Sequence, residues 1–215
     1  MSDNINKKFE KLSSTVICHS SIKSILGKEY KRINDKIDYM KKEGQLKYLK
    51  RGMYIYNSPI FDNLISEEII SNNLLGPSYI SFDYALSYYN LIPERVSEIT
   101  SATIKRGKVF KTDYGEFSYK QVNKKLYSIG LNILSSKLGN FIIASKEKAL
   151  CDKVLYDKKL IIKTQLEMQE LLEYDLRIDV SDLEKFDSNI IKECYEITQS
   201  QKLKILFNLI EELKK

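Results

Sequence analysis

The side chains of this chain best suited to chemistry lie close together. Ser145-Lys146-Glu147-Lys148, followed by Asp152, brings two carboxylates and two ammonium groups within eight positions. Carboxylates hold Mg²⁺ through hard oxygen ligands, and a lysine can assist an attacking water, so the set invites a metal-dependent nuclease. Such nucleases distribute these groups over paired strands. Here the spacing predicts one helix, from a Ser145 cap through Lys146 to Tyr156, with Ala149, Leu150, Val154 and Leu155 on its buried side. Glu147 falls in the first turn, where a carboxylate stabilises the helix dipole. The structural reading therefore comes first. A surface made by Glu147, Lys148 and Asp152 that acts on a partner comes second, and a nuclease using Glu147 and Asp152 third.

Cys18-His19 suggests a nucleophile–base pair. Neighbouring residues point to opposite faces of a strand and about 100° apart on a helix, which argues against it. Three cysteines and one histidine cannot build a four-cysteine or histidine-rich zinc site. Cys151, beside Leu150, and Cys194 read as small core residues. The eight glycines are dispersed, with no phosphate-cradling loop. Tyr79, Tyr84, Tyr88 and Tyr89 surround one helix, where packing against a sheet is favoured over stacking with RNA. No metal, cofactor or catalytic residue is expected.

The other chemistry is electrostatic. The 35 basic and 29 acidic residues give a net charge of +6. Residues 1–60 carry +7, residues 61–163 carry +4 and residues 164–215 carry −5. A basic block of that size fits a small nucleic-acid-binding module and equally a lysine-rich solvated surface, and the pattern must decide between them. The elements that must position it follow from the pattern. Ile5, Phe9 and Leu12 suggest a short helix, and Ser14 to Cys18 a strand. Ser20 or Ser21 caps a helix ending at Gly27. Tyr30, Ile33, Ile37 and Met40 form one apolar stripe on a helix from Lys28 to Glu43, closed by Gly44. Gln45 to Tyr56 reads as a hairpin with Lys50-Arg51-Gly52 at its tip. That is the order of a winged helix-turn-helix. Lys31, Arg32, Asp35 and Lys36 would face the major groove of double-stranded operator DNA. Lys28 would meet a phosphate, and Lys50 and Arg51 would grip the backbone or minor groove.

Beyond Asn57-Ser58-Pro59, Ser66 caps a helix that ends before Gly76-Pro77, and Ser81 caps Phe82 to Tyr89. Strands are predicted at Val96–Lys105, at Lys108–Thr112 and Glu116–Val122 around Asp113-Tyr114-Gly115, at Leu131–Leu134 and at Asn140–Ala144. From Thr164 the chain is helical, broken at Asp179–Ser181, with a final helix from Asn189 to Leu213. The expected fold class is α+β: residues 1–60 a winged helix-turn-helix, and residues 61–215 a larger mixed α/β domain with a helical C-terminal tail. Free thiols, no export signal and no membrane-length apolar run point to the cytoplasm and to no membrane partner.

Three segments resemble the AbiEi-type antitoxins of type IV toxin–antitoxin systems, associated with abortive phage infection. They are Lys50-Arg51-Gly52-Met53-Tyr54; Tyr79 to Leu86 followed by Leu91-Ile92-Pro93-Glu94; and Ile143 to Asp152, which is similar to that family's "iAs-x-EKALlD" pattern. The resemblance covers roughly residues 45–155. It implies an N-terminal winged helix that represses its own operon. It also implies a C-terminal domain that opposes a nucleotidyltransferase-like toxin without a stable complex. A winged-helix regulator with a sensing C-terminal domain and no toxin is the alternative.

Overall fold

The computed structural model describes residues 8, 9, 12, 14–27, 29–57 and 64–215. The chain is a mixed α+β protein whose N-terminal part runs β1 (Val16–Cys18), α1 (His19–Leu26), α2 (Ile33–Lys42), β2 (Leu46–Lys50) and β3 (Met53–Tyr56). The strands form an antiparallel sheet in the order β1-β3-β2, with Val16 opposite Ile55 and Leu46 opposite Tyr56. Gly52 turns the β2–β3 hairpin at φ +77, a conformation that costs glycine nothing. One sheet face closes on a small core of Phe9, Ile17, Ile22, Leu26, Ile37, Met40, Leu46 and Tyr56. Phe9 stacks on Tyr56 with ring centroids 5.0 Å apart.

Successive strand residues point to opposite faces. Val16, Leu49 and Ile55 accordingly leave the small core and join a second, much larger one that reaches to Ile210. The boundary expected at residue 60 falls outside the described residues, and this sheet is shared by both cores.

The larger part begins with α3 (Glu67–Leu74), capped by the Ser66 hydroxyl, which accepts from the Ile69 amide at 3.2 Å. There follow β4 (Ser78–Ile80), α4 (Phe82–Tyr88), β5 (Ile99–Thr103), β6 (Lys108–Thr112), β7 (Gly115–Gln121), β8 (Leu131–Ser136), β9 (Gly139–Ala144) and α5 (Lys146–Tyr156). The six strands order as β6-β7-β5-β4-β9-β8. The β5–β7 and β4–β9 pairs are parallel and the others antiparallel. The tail comprises α6 (Gln165–Glu170), a π-helical turn over Leu171–Asp175, α7 (Val180–Leu183), α8 (Ser188–Thr198) and α9 (Gln201–Leu213). A capping box of Thr164 and Glu167 starts α6. Ile191, Cys194, Leu203 and Leu206 lay α8 and α9 on the same core as Leu150 and Val154 of α5. Among the described residues, no helix is long and apolar enough to cross a membrane.

Several elements differ from their expected bounds. The helix expected from Lys28 starts only at Ile33, because the Glu29 and Tyr30 amides fold back onto the Leu26 carbonyl and Arg32 becomes the N-cap. Lys28 and most of the expected first helix lie outside the described residues. The strand expected over Val96–Lys105 is confined to Ile99–Thr103. α1 begins at His19, so Ser20 and Ser21 are not its caps. The helix expected from Asn189 to Leu213 breaks at Gln199, which is left-handed at φ 52, and restarts as α9.

Candidate functional site

The strand-to-helix turn after β4 brings Tyr79 and Ser81 against α5, which supplies Lys148 and Asp152 one helical turn apart. Lys148 and Asp152 form an ion pair with both side chains 0% exposed. The second Asp152 oxygen accepts from the Tyr79 hydroxyl at 2.9 Å and from Ser81 Oγ at 2.8 Å. The Lys148 ammonium also lies 5.4 Å from the Tyr79 ring centroid. Burial, then the Asp152 carboxylate, pushes the Tyr79 hydroxyl far above the usual phenol range. Burial draws the Lys148 ammonium down, but Asp152 outweighs it and holds Lys148 above its ordinary value. Ser81, expected to cap α4, spends its hydroxyl on Asp152 and makes no cap bond. Phe82 follows it in a left-handed conformation, φ 58, a strain that the packed surroundings must offset.

Glu147 is almost fully buried. One of its oxygens accepts from Ser145 Oγ at 2.7 Å, the other from the Asp187 amide at 3.1 Å. Glu147, Lys148 and Asp152 are therefore interior, which is where the structural reading puts them and which removes the acting surface that came second. Both oxygens of each carboxylate are occupied by donors of the protein itself. The α5 motif pins the β4–α4 turn through Asp152 and the start of α8 through Glu147. Among the described residues, no three His, Cys, Asp or Glu side chains are placed to hold a metal ion.

Cys18 and His19 diverge. Cys18 Sγ sits 2.9 and 3.0 Å from the Ser20 and Ser21 hydroxyls, which lower its pKa to about 7. His19 Nε2 instead meets Asn34 Oδ1 at 3.0 Å. Cys151 and Cys194 are buried, and the contact with Cys194 together with burial pushes the Cys151 thiol well up.

The basic residues divide. Lys31 and Arg32 are exposed in the turn before α2, and Arg32 makes an open ion pair with Asp35 at 3.8 Å. An exposed pair of that kind contributes little stability. Lys36 projects between two aromatic rings, 5.1 Å from the Tyr30 centroid and 4.6 Å from that of Tyr39. Tyr30, Lys31, Arg32, Asp35, Lys36 and Tyr39 line one open groove of about 350 Å³. Tyr39 and, on β2, Tyr48 were missed in the sequence, although both are more than half exposed. The available signal was an aromatic residue on the polar face of a helix or hairpin.

Lys50 departs from its expected role. Its ammonium donates to the Leu74 carbonyl and lies 5.1 Å from the Phe110 ring centroid. Burial, then Lys108 and Lys105, draws its pKa below the ordinary value. Lys50 thus points to the junction with the larger part, while Arg51 is left exposed at the tip. Compared with protein-family models and with curated proteins, the chain matches none.

Proposed function

We propose that residues 14–57 form a winged helix-turn-helix that binds double-stranded operator DNA, and that the chain is an antitoxin repressing its own operon. The observation that carries the DNA reading is the exposed cationic and aromatic face of α2 and its preceding turn. Lys31, Arg32 and Lys36 stand there beside Tyr30 and Tyr39. The face belongs to a module with its own small core and a net charge of +7 over residues 1–60. A helix about 10 Å across fits a major groove about 12 Å wide, provided one face is apolar and the other polar. α2 meets this condition, with Ile37 and Met40 inward and Asp35 and Lys36 on the outer side. β2 and β3 then act as the wing, with Arg51 contacting phosphate.

The antitoxin reading rests on the resemblance of the three segments to the AbiEi type. In this reading the larger part counters a nucleotidyltransferase-like toxin. It does so through its exposed surface, because Lys148 and Asp152 are enclosed. The protein works in the cytoplasm by binding rather than catalysis.

Fluorescence anisotropy of a labelled duplex from the region upstream of the gene, titrated with salt, tests the DNA reading. Arg51→Ala should lower the salt slope by about one unit for all duplexes. Arg32→Ala should relax discrimination at one base pair by about 1–3 kcal/mol. Equal affinity for the upstream duplex and a scrambled one would refute operator recognition. Growth rescue on co-expression with a neighbouring nucleotidyltransferase-like gene tests the antitoxin reading. No rescue refutes it and leaves the DNA result standing.

A further inference from the structure

The chain carries the tripeptide Lys-Arg-Gly twice, at Lys50-Arg51-Gly52 and at Lys105-Arg106-Gly107, the second followed by Lys108. One is the tip of the β2–β3 hairpin. The other joins β5 to β6, the edge strand of the six-stranded sheet. The two turns meet at the end of α3. Lys50 Nζ donates to the carbonyl of Leu74, and Lys105 Nζ to that of Gly76, two residues further on. Phe110 stands between the turns. Its ring centroid is 5.1 Å from Lys50 Nζ and 4.7 Å from Lys108 Nζ. The ring is held edge-on by Tyr119 at 5.8 Å, and Tyr119 is tied to Ser71 of α3. Gly107 is required here, because a Cβ would lie 2.6 Å from the Tyr119 carbonyl oxygen.

Three ammonium groups are therefore held together. Lys105 and Lys108 are exposed, and none of the three has a carboxylate within ion-pair distance among the described residues. The end of α3 offers them only about half a negative charge. A surplus of more than two unit charges remains, with Lys50 and Lys105 held on backbone carbonyls, Lys50 partly desolvated and Lys108 open to solvent, and a phosphate group complements that charge.

We propose that Lys50, Lys105 and Lys108 form a phosphate-binding site at the junction of the hairpin and the edge strand. Its source of phosphate is either the backbone of DNA flanking the α2 face or a free phosphate monoester. The first source rests on the DNA reading above, and the second does not.

The test uses the full chain with Lys108→Gln, with Lys105→Gln plus Lys108→Gln, and with Lys108→Arg as a charge-preserving control. The Lys108 side chain makes no hydrogen bond or ion pair among the described residues, only the contact with the Phe110 ring, and its backbone place in β6 is kept by the substitution, so the single variant should leave the fold intact. Urea midpoints check the double variant. In the first arm, duplex affinity is measured against salt. The expected slope falls by about one unit for the single variant and two for the double, with sequence preference unchanged and Lys108→Arg like wild type. In the second arm, calorimetry measures binding of inorganic phosphate and of a nucleoside monophosphate. A tenfold loss in the double variant, with no DNA binding by wild type, rejects the DNA reading and assigns the site to a free phosphate. Unchanged behaviour of folded variants in both arms overturns the site.

Discussion

Asp152→Ala is the sharpest perturbation of the buried network. It removes the counter-charge of Lys148, which has no exposed surface, and the acceptor for two hydroxyls, Tyr79 and Ser81. Breaking a buried pair from one side costs about 3–5 kcal/mol, because the surviving charge is left without compensation. Each orphaned hydroxyl adds a cost that overlaps with this, so about 3–5 kcal/mol is a lower range. Against a typical total of about 5–15 kcal/mol, the variant is severely weakened. In urea, with a slope of about 1–3 kcal/mol per molar, the midpoint should fall by at least about 1 M. Adding Lys148→Met should restore part of the loss, since the cost lies in the unpaired ammonium rather than in a missing attraction. The pH dependence supplies an independent sign. In the parent, Lys148 titrates above its ordinary value, so its stabilisation is complete below about pH 10 and fades above it. In Asp152→Ala, burial, the largest influence on Lys148, outweighs the remaining pull of Cys194 and Cys151 and lowers the folded value, so stability rises with pH toward about 10. The gap between variant and parent should therefore narrow as pH rises. A loss below about 1 kcal/mol, or no rescue by Lys148→Met, would refute the reasoning.

Burial also raises Tyr119 to about 12 and Tyr79 further still, so an unfolded chain loses these protons first. Stability should fall by about 1.4 kcal/mol per pH unit for each above about pH 10, and Tyr119→Phe should reduce the slope of urea midpoint against pH by its share. Cys18 should be the thiol modified by iodoacetamide in the native protein, at half its maximal rate near pH 7, with Cys151 and Cys194 reacting only in denaturant; peptide mass spectrometry distinguishes them. Gly107→Ala should lower the urea midpoint, since its Cβ would meet a backbone oxygen at 2.6 Å; an unchanged midpoint would show that the turn can shift.

Local chemistry made much of the fold legible. Ser145 caps α5 at its expected start, and the helix ends at Tyr156 as its pattern implies. Asp113-Tyr114 turns β6 into β7, which opens at Gly115 with φ 121. Three features were not legible, each for a physical reason. The hydroxyl partners of Asp152 lie 71 and 73 positions away, beyond any spacing rule. A lysine on a hairpin tip reads as solvated, and only Phe110 and the Leu74 carbonyl, contributed by other elements, turn Lys50 inward. Arg32 reads as a position on the polar face inside the helix, and the fold-back of residues 29–30 onto α1 delays the helix past it. Within the candidate DNA face, the cations were legible from charge, and the tyrosines beside them were not.

The sheet of β1, β2 and β3 acts as a party wall. Val16, Leu49 and Ile55 serve one side of it while Ile17, Leu46 and Tyr56 serve the other. An excised fragment ending near residue 60 would present the first set to water and should self-associate. A chimera that transplants this module onto another protein must bring an apolar host surface for those three side chains. For the same reason, substitutions on the far side of the wall, at Ile69 or Leu74 of α3, can tilt the face that α2 offers outward without touching it.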